Sequence, residues 1–253
     1  MNACKARHGE NTYMTRDIFP GSSFLLSDII EVPSGASLLI GPPGSGKSVF
    51  CRQFAAMSLK EGQCVLAVLT DEPPNRFLEY LKKQGVDEST LKDSSRLKII
   101  DAYSWRIKPA SGEYEVSGLH SLHELSALID RMLREMKRDE NRRNRFIFDS
   151  FDAVVLNAGE ESALILAQSL TARVAAYGFF GFITLMSGVH SRFFEDSMIS
   201  LGIGVVRLDV EVTPDSVRRW IRIPMFQATH ITQPIEFKIT EGKIQIIHAE
   251  KKK

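Results

Sequence analysis

The chain is poor in cysteine, in long apolar runs and in surplus charge of either sign. It holds three cysteines in 253 residues, Cys4, Cys51 and Cys64. They form no C-x-x-C pair and any disulfide would leave one thiol over, which argues against a disulfide framework or a cysteine metal site. Cys51 and Cys64 fall in apolar surroundings and read as small core residues in a reducing compartment. No apolar run is long enough to span a bilayer, and the polar, mixed-charge N-terminus lacks a signal-peptide pattern. A cytoplasmic protein without a membrane partner is the expectation. The 32 Lys and Arg are balanced by 31 Asp and Glu, a formal net charge of +1, so no global field favours nucleic acid or anionic lipid. Internal repeats, low-complexity segments and a clear linker are also missing. One domain over residues 1–253 is expected, with a lead-in at 1–31 and antiparallel edge strands at 203–248.

What is present is Gly41-Pro42-Pro43-Gly44-Ser45-Gly46-Lys47-Ser48, a complete G-x-x-x-x-G-K-[ST] phosphate-binding loop. It follows a short apolar strand, Ala36 to Ile40, and precedes a helix expected over Lys47 to Lys60, the setting in which the motif has chemical meaning. Glycines let the backbone approach phosphate oxygens so that several N–H groups form an anion nest. The helix N-terminus adds partial positive charge. Lys47 can reach the β- and γ-phosphates and the Ser48 hydroxyl can enter a Mg²⁺ shell. The nucleotide-contact candidates are Gly41, Pro43, Gly44, Ser45, Gly46, Lys47, Ser48 and Val49.

Strand-like and helix-like segments then alternate, which predicts an α/β fold with a central, mostly parallel sheet flanked by helices. Gln63 to Thr70, Leu97 to Ala102, Phe146 to Ser150 and Phe180 to Met186 read as buried strands. Helices are expected over Pro74 to Gln84, Ser121 to Lys137 and Glu160 to Tyr177. Tyr103 to Leu119 reads as a surface loop, and Lys137 to Arg145 as a solvated basic turn. Two hairpins close the chain, one around Thr213-Pro214-Asp215-Ser216 and one around Glu241-Gly242-Lys243.

Phosphate chemistry needs an acid for the metal and a base for water. Asp149 ends an apolar strand and is the expected metal-organising carboxylate together with Ser48; Asp152 reads as a cap on the following turn. Asp71-Glu72 follow the strand after the phosphate-loop helix. If that strand adjoined the phosphate-loop strand, the pair would emerge beside the γ-phosphate, with Glu72 favoured over Asp71 as base for its reach. Lys47 completes the catalytic set. The competing reading of Asp71-Glu72 is favourable charge at the start of the helix at Pro74.

These residues resemble the KaiC family of the RecA superfamily, including archaeal KaiC-like and RadA-paralogue proteins. The likeness runs from about Val32 to the C-terminus. It rests on the phosphate loop, on Thr70-Asp71-Glu72-Pro73-Pro74, on Leu97 to Ala102, on Phe148-Asp149-Ser150, and on Thr229-His230 with Pro234-Ile235-Glu236-Phe237-Lys238-Ile239. It implies a RecA-like core binding ATP and Mg²⁺ at the C-terminal edge of the sheet, and a homo-oligomer, often a hexameric ring with nucleotide between subunits. The chain departs from the pattern where the family carries Lys-x-Arg-Gly before the final histidine. Here Pro224-Met225-Phe226-Gln227-Ala228 has no cation, and Arg222 is the nearest substitute. A trans cation is worth several orders of magnitude in phosphoryl-transfer rate. ATP binding with slow hydrolysis is therefore expected, for a nucleotide-gated switch or regulatory assembly factor with a protein partner of unknown identity. The alternatives are a non-hydrolysing scaffold and a recombination accessory protein binding single-stranded DNA. For the last, the local support is Arg218, Arg219, Trp220 and Arg222, which strand alternation divides between two faces.

Overall fold

The computed structural model describes residues 17–19, 22–24, 34–136, 144–226 and 229–247. The chain divides into two compact units, residues 1–32 and 33–253, a boundary one residue beyond the expected lead-in. The first holds an antiparallel pair, β1 (Asp17–Phe19) and β2 (Ser22–Phe24).

The second unit runs β3 (Gly35–Gly41), α1 (Lys47–Lys60), β4 (Cys64–Leu69), α2 (Pro74–Lys83), α3 (Glu88–Lys92), β5 (Leu97–Asp101), α4 (Leu122–Met136), β6 (Asn144–Asp149), α5 (Asp152–Ala176), β7 (Phe179–Met186), α6 (Arg192–Leu201), β8 (Gly204–Thr213), β9 (Ser216–Phe226), β10 (Thr229–Thr240) and β11 (Lys243–Ile246). The nine strands form one sheet in the order β11-β10-β9-β8-β3-β7-β6-β4-β5. From β8 to β5 neighbouring strands run parallel, and β8 to β11 are antiparallel. β8 joins the two halves: it pairs parallel with β3 on one side and forms the first hairpin with β9 on the other.

β3, β4 and β6 are buried at every position, because helices cover both faces and leave no solvated side. α4, α5 and α6 build the larger core on one face, with Leu38, Ile40, Leu66, Val68, Phe146, Phe148, Ile183 and Leu185 pointing to them. On the other face α1 rests on an edge-to-face cluster of Phe50, Phe54, Phe180 and Phe182. The antiparallel end of the sheet curls back so that β11 also touches α1. There Gln53, almost fully buried, accepts from the Ile244 N–H at 2.8 Å and donates to the Ile244 carbonyl at 3.4 Å. This enclosure is why α1 is buried from Phe50 to Leu59, Arg52 excepted, and carries no clean apolar stripe.

Three features differ from the expectation. α3, capped by Asp87 on the Thr90 N–H, and α6, capped by Ser191 on the Phe194 N–H, were not foreseen. α5 begins at Asp152 and contains a non-helical Gly159 (φ 80°, ψ 161°) just before the expected start at Glu160. Most consequentially, β4 does not adjoin β3, since β7 and β6 lie between them. Of the cysteines, Cys51 and Cys64 are buried free thiols; Cys4 and most of the basic turn lie outside the described residues. Among the described residues no helix is long and apolar enough to cross a membrane.

Candidate nucleotide-binding site

The phosphate loop connects the end of β3 to the start of α1. Gly44 (φ 75°) and Gly46 (φ 104°) adopt backbone angles that L side chains resist. At Gly44 a Cβ would meet nothing within 4 Å, so the crest of the loop faces open space; at Gly46 it would meet Ile239 Cδ1 at 2.9 Å. The N-terminus of α1 has no side-chain cap, which leaves its first N–H groups available to an anion. The Ser45 hydroxyl is buried without a hydrogen-bond partner, an unmet polar group in the middle of the loop. Lys47 Nζ folds back to donate to the carbonyls of Gly41 (2.6 Å) and Pro42 (3.1 Å). Burial lowers its pKa, opposed by the charges of Asp152, Asp149 and Asp71. These features fit a triphosphate: a cation, uncapped amides and an unpartnered hydroxyl converge on one loop.

Asp149 ends β6, one strand removed from β3. It is 5% exposed, accepts from Thr184 Oγ1 at 2.8 Å and has the Ser48 hydroxyl near enough to favour its ionised form. Burial pushes its carboxyl up to about 6, restrained by the Thr184 bond and the nearby Ser48 hydroxyl and aided by the negative charge of Asp71. A paired hydroxyl and carboxylate suit Mg²⁺, which takes few protein ligands and completes its shell with water and phosphate oxygens. Among the described residues no group of three or more His, Cys, Asp and Glu could form an all-protein metal cage.

Although β4 is remote from β3, its end is tied to the end of β6. Thr70 Oγ1 donates to the Ser150 carbonyl and accepts from the Ser150 N–H, both at 2.7 Å. Asp71 and Glu72 therefore lie beyond the Asp149 strand, which corrects the route expected from adjacent strands. Asp71 is exposed, and its charge acts on both Lys47 and Asp149. Glu72 is buried and held at both oxygens by Arg52 of α1. Arg106, stacked near Tyr103 and Trp105, donates to the Thr70 carbonyl at 2.6 Å and steadies the strand end. Asp152 does not cap its helix: it accepts the Met186 N–H (2.9 and 3.1 Å) and lies 2.7 Å from His190 Nε2, binding the end of β7 to the start of α5.

The cations of the C-terminal strands separate by face. Arg218 pairs with Glu236 at 2.8 and 3.0 Å and lies over Trp220, and Arg222 pairs with Asp209 at 2.9 Å. Arg219, on the other face, reaches the phosphate loop and donates Nε to the Gly44 carbonyl at 3.1 Å. The Gln227-Ala228 segment and the His230 side chain lie outside the described residues. Sequence reasoning missed Thr184, Arg52 and the loop contact of Arg219. Thr184 left a signal, as a polar residue inside the apolar run of β7.

The family model described as "ATPase: KaiC" matches residues 30–251. The chain belongs to the KaiC family of ATPases. Its relatives include a UPF0273 protein of Pyrococcus horikoshii, 27% identical over 216 residues that cover 85% of each chain. A UPF0273 protein of Thermotoga maritima is 23% identical over 217 residues, 84% of this chain and 87% of that one. Circadian clock protein KaiC3 of Synechocystis is 28% identical over 137 residues, 53% of this chain and 25% of that protein. The crystal structure of a KaiC-like protein from Pyrococcus horikoshii superposes with a TM-score of 0.69 at 19% identity, covering 93% of this chain and 99% of that one. The KaiC/RecA-like fold follows from that match: a mostly parallel core with antiparallel C-terminal strands.

Proposed function

We propose that the protein binds Mg²⁺·ATP and hydrolyses it slowly, acting as a nucleotide-dependent switch or regulatory assembly factor. The observation that carries this reading is the convergence of the uncapped α1 N-terminus, Lys47, and the Ser48–Asp149 pair at one end of the sheet. In this reading the loop amides and Lys47 hold the phosphates, Ser48 and Asp149 hold the metal, and Asp71 or Glu72 accepts a proton from the attacking water. Bound Mg²⁺ would supply charge neutralisation to the phosphate oxygens. Arg219 at the loop crest offers its remaining donors to the same nucleotide.

Slow turnover is supported by the cations. Arg222, the nearest substitute for the family's trans cations, is already paired with Asp209. The same pairing weakens the DNA-binding reading, because Arg218 and Arg222 are matched by carboxylates rather than left for phosphate.

The test is titration with a fluorescent ATP analogue, with and without Mg²⁺, for wild type and Lys47→Met, together with light-scattering mass in Mg²⁺·ATP. Magnesium-dependent binding that Lys47→Met abolishes supports the reading. No binding to wild type overturns it. A nucleotide-dependent rise in mass would add ring assembly, and an unchanged mass would favour a monomeric switch.

A further inference from the structure

Arg52 lies four residues beyond Ser48 on α1, so both side chains occupy one face of that helix about 6 Å apart along its axis. Glu72 is bound at the Arg52 level. Arg52 Nε donates to Oε1 at 2.8 Å and Nη2 to Oε2 at 2.5 Å, so one guanidinium fork engages both carboxylate oxygens. The Glu72 side chain is 9% exposed and that of Arg52 is 26% exposed, a setting in which the attraction is less screened than in water. The fork has its own support. Its carbon lies 5.8 Å from the Tyr80 ring centroid, and the Tyr80 hydroxyl donates to the Gly242 carbonyl at 2.8 Å. Gly242 belongs to the turn between β10 and β11, the same hairpin that Gln53 fastens to α1.

We propose that Arg52 is a latch on Glu72, a positioning residue that holds the base one helical turn away from the metal and phosphate level. This inference rests on the reading that the site binds Mg²⁺·ATP. Turnover then takes place in the molecules whose pair has opened, and the observed rate is the intrinsic rate multiplied by the open fraction. In the open form Glu72 accepts a proton from water as the water oxygen bonds to the γ-phosphorus. The bond between that phosphorus and the β–γ bridging oxygen breaks, giving ADP and inorganic phosphate. Because Tyr80 connects the fork to the C-terminal hairpin, displacement of that hairpin loosens the latch.

The experiment measures phosphate release and fluorescent-ATP affinity for wild type, Arg52→Gln, Arg52→Lys and Arg52→Gln/Glu72→Gln. Arg52→Gln should raise kcat about tenfold, the gain for a latch closed in about nine molecules of ten, with KM and nucleotide affinity unchanged. Arg52→Lys, which cannot grip both oxygens in a fork, should fall between it and wild type, and the gain should vanish in the double variant. A folded, ATP-binding Arg52→Gln with unchanged or lower kcat overturns the latch, as does a gain that survives Glu72→Gln. Should Arg52→Gln fail to fold, Tyr80→Phe removes only the hydroxyl bond to Gly242; it should raise kcat about twofold to threefold on the same population argument, and no rise overturns the proposal. Intact ATP binding without any gain sinks the latch alone. Absence of ATP binding in wild type sinks the binding reading and the latch with it.

Discussion

Thr184, within β7, donates its hydroxyl to Oδ1 of Asp149 at the end of β6, 2.8 Å away. The bond supports the ionised carboxylate, and burial opposes it more strongly, raising the carboxyl from its ordinary 3.8 to about 6. The folded protein therefore holds this proton more tightly than the unfolded chain does. The resulting stability is fully present below pH 4 and is lost as pH rises to about 6, a swing of about 3 kcal/mol at about 1.4 kcal/mol per pH unit. Urea unfolding of the nucleotide-free protein between pH 4 and 7 checks this against Asp149→Asn, which does not titrate. The stability of wild type relative to the variant should fall across that window and level off above it. A constant difference would refute the raised pKa.

Arg219 and Arg218 are sequence neighbours with opposite duties. Arg219→Gln removes a guanidinium from the crest of the phosphate loop and should weaken ATP binding about tenfold, the scale of one hydrogen bond to a charged group. Unfolding free energy should change by less than about 0.5 kcal/mol. Arg218→Gln disturbs the exposed pair with Glu236 and should leave affinity unchanged. Equal losses in both variants would mean that the hairpin itself had shifted.

Gly181 in β7 has no room for a side chain. An added Cβ would fall 1.7 Å from the Phe146 carbonyl oxygen of β6, so Gly181→Ala must push apart two central strands. A loss of about 4 kcal/mol or more is expected, in the range reserved for severe core damage. Gly178→Ala is the control, because its Cβ would meet nothing within 4 Å. Its φ of 78° should cost only about 1–2 kcal/mol. Circular dichroism melts of the two variants decide between steric exclusion and simple backbone strain.

The clasp between Gln53 and Ile244 yields a fourth expectation. Gln53→Ala strands a buried backbone N–H and weakens the seat of β11 on α1. The cost should be about 2–3 kcal/mol, the penalty for an unpaired buried polar group, read by urea unfolding.

Much of the fold was legible because its signals are local. The glycine-rich turn sits between an apolar run and a helix, and the buried parallel strands are continuous apolar segments bounded by turns. Sheet order was not legible, because nothing in the run from Cys64 to Leu69 says that two strands will insert between it and β3. α6 went unforeseen because its ten residues show few buried side chains, Phe194 and Met198. In the candidate site, Asp149 stood out as a carboxylate closing an apolar strand. The Arg52–Glu72 grip did not, since an arginine on a helix reads as solvent-facing until the partner 20 residues away is known. Strand alternation put Arg219 on a different face from Arg218 and Arg222, but only the curl of the sheet, with Gly44 175 residues away in sequence, turned that face toward the phosphate loop.

That curl also sets an order of events during synthesis. Gln53 and Ile244 are 191 residues apart in sequence, so a ribosome releases the phosphate loop long before the strand that covers α1. Until β10 and β11 emerge, α1 has one flank open to water, and Gly46 lacks the neighbouring Ile239. The packing around α1 is therefore completed only once the hairpin of β10 and β11 has been made.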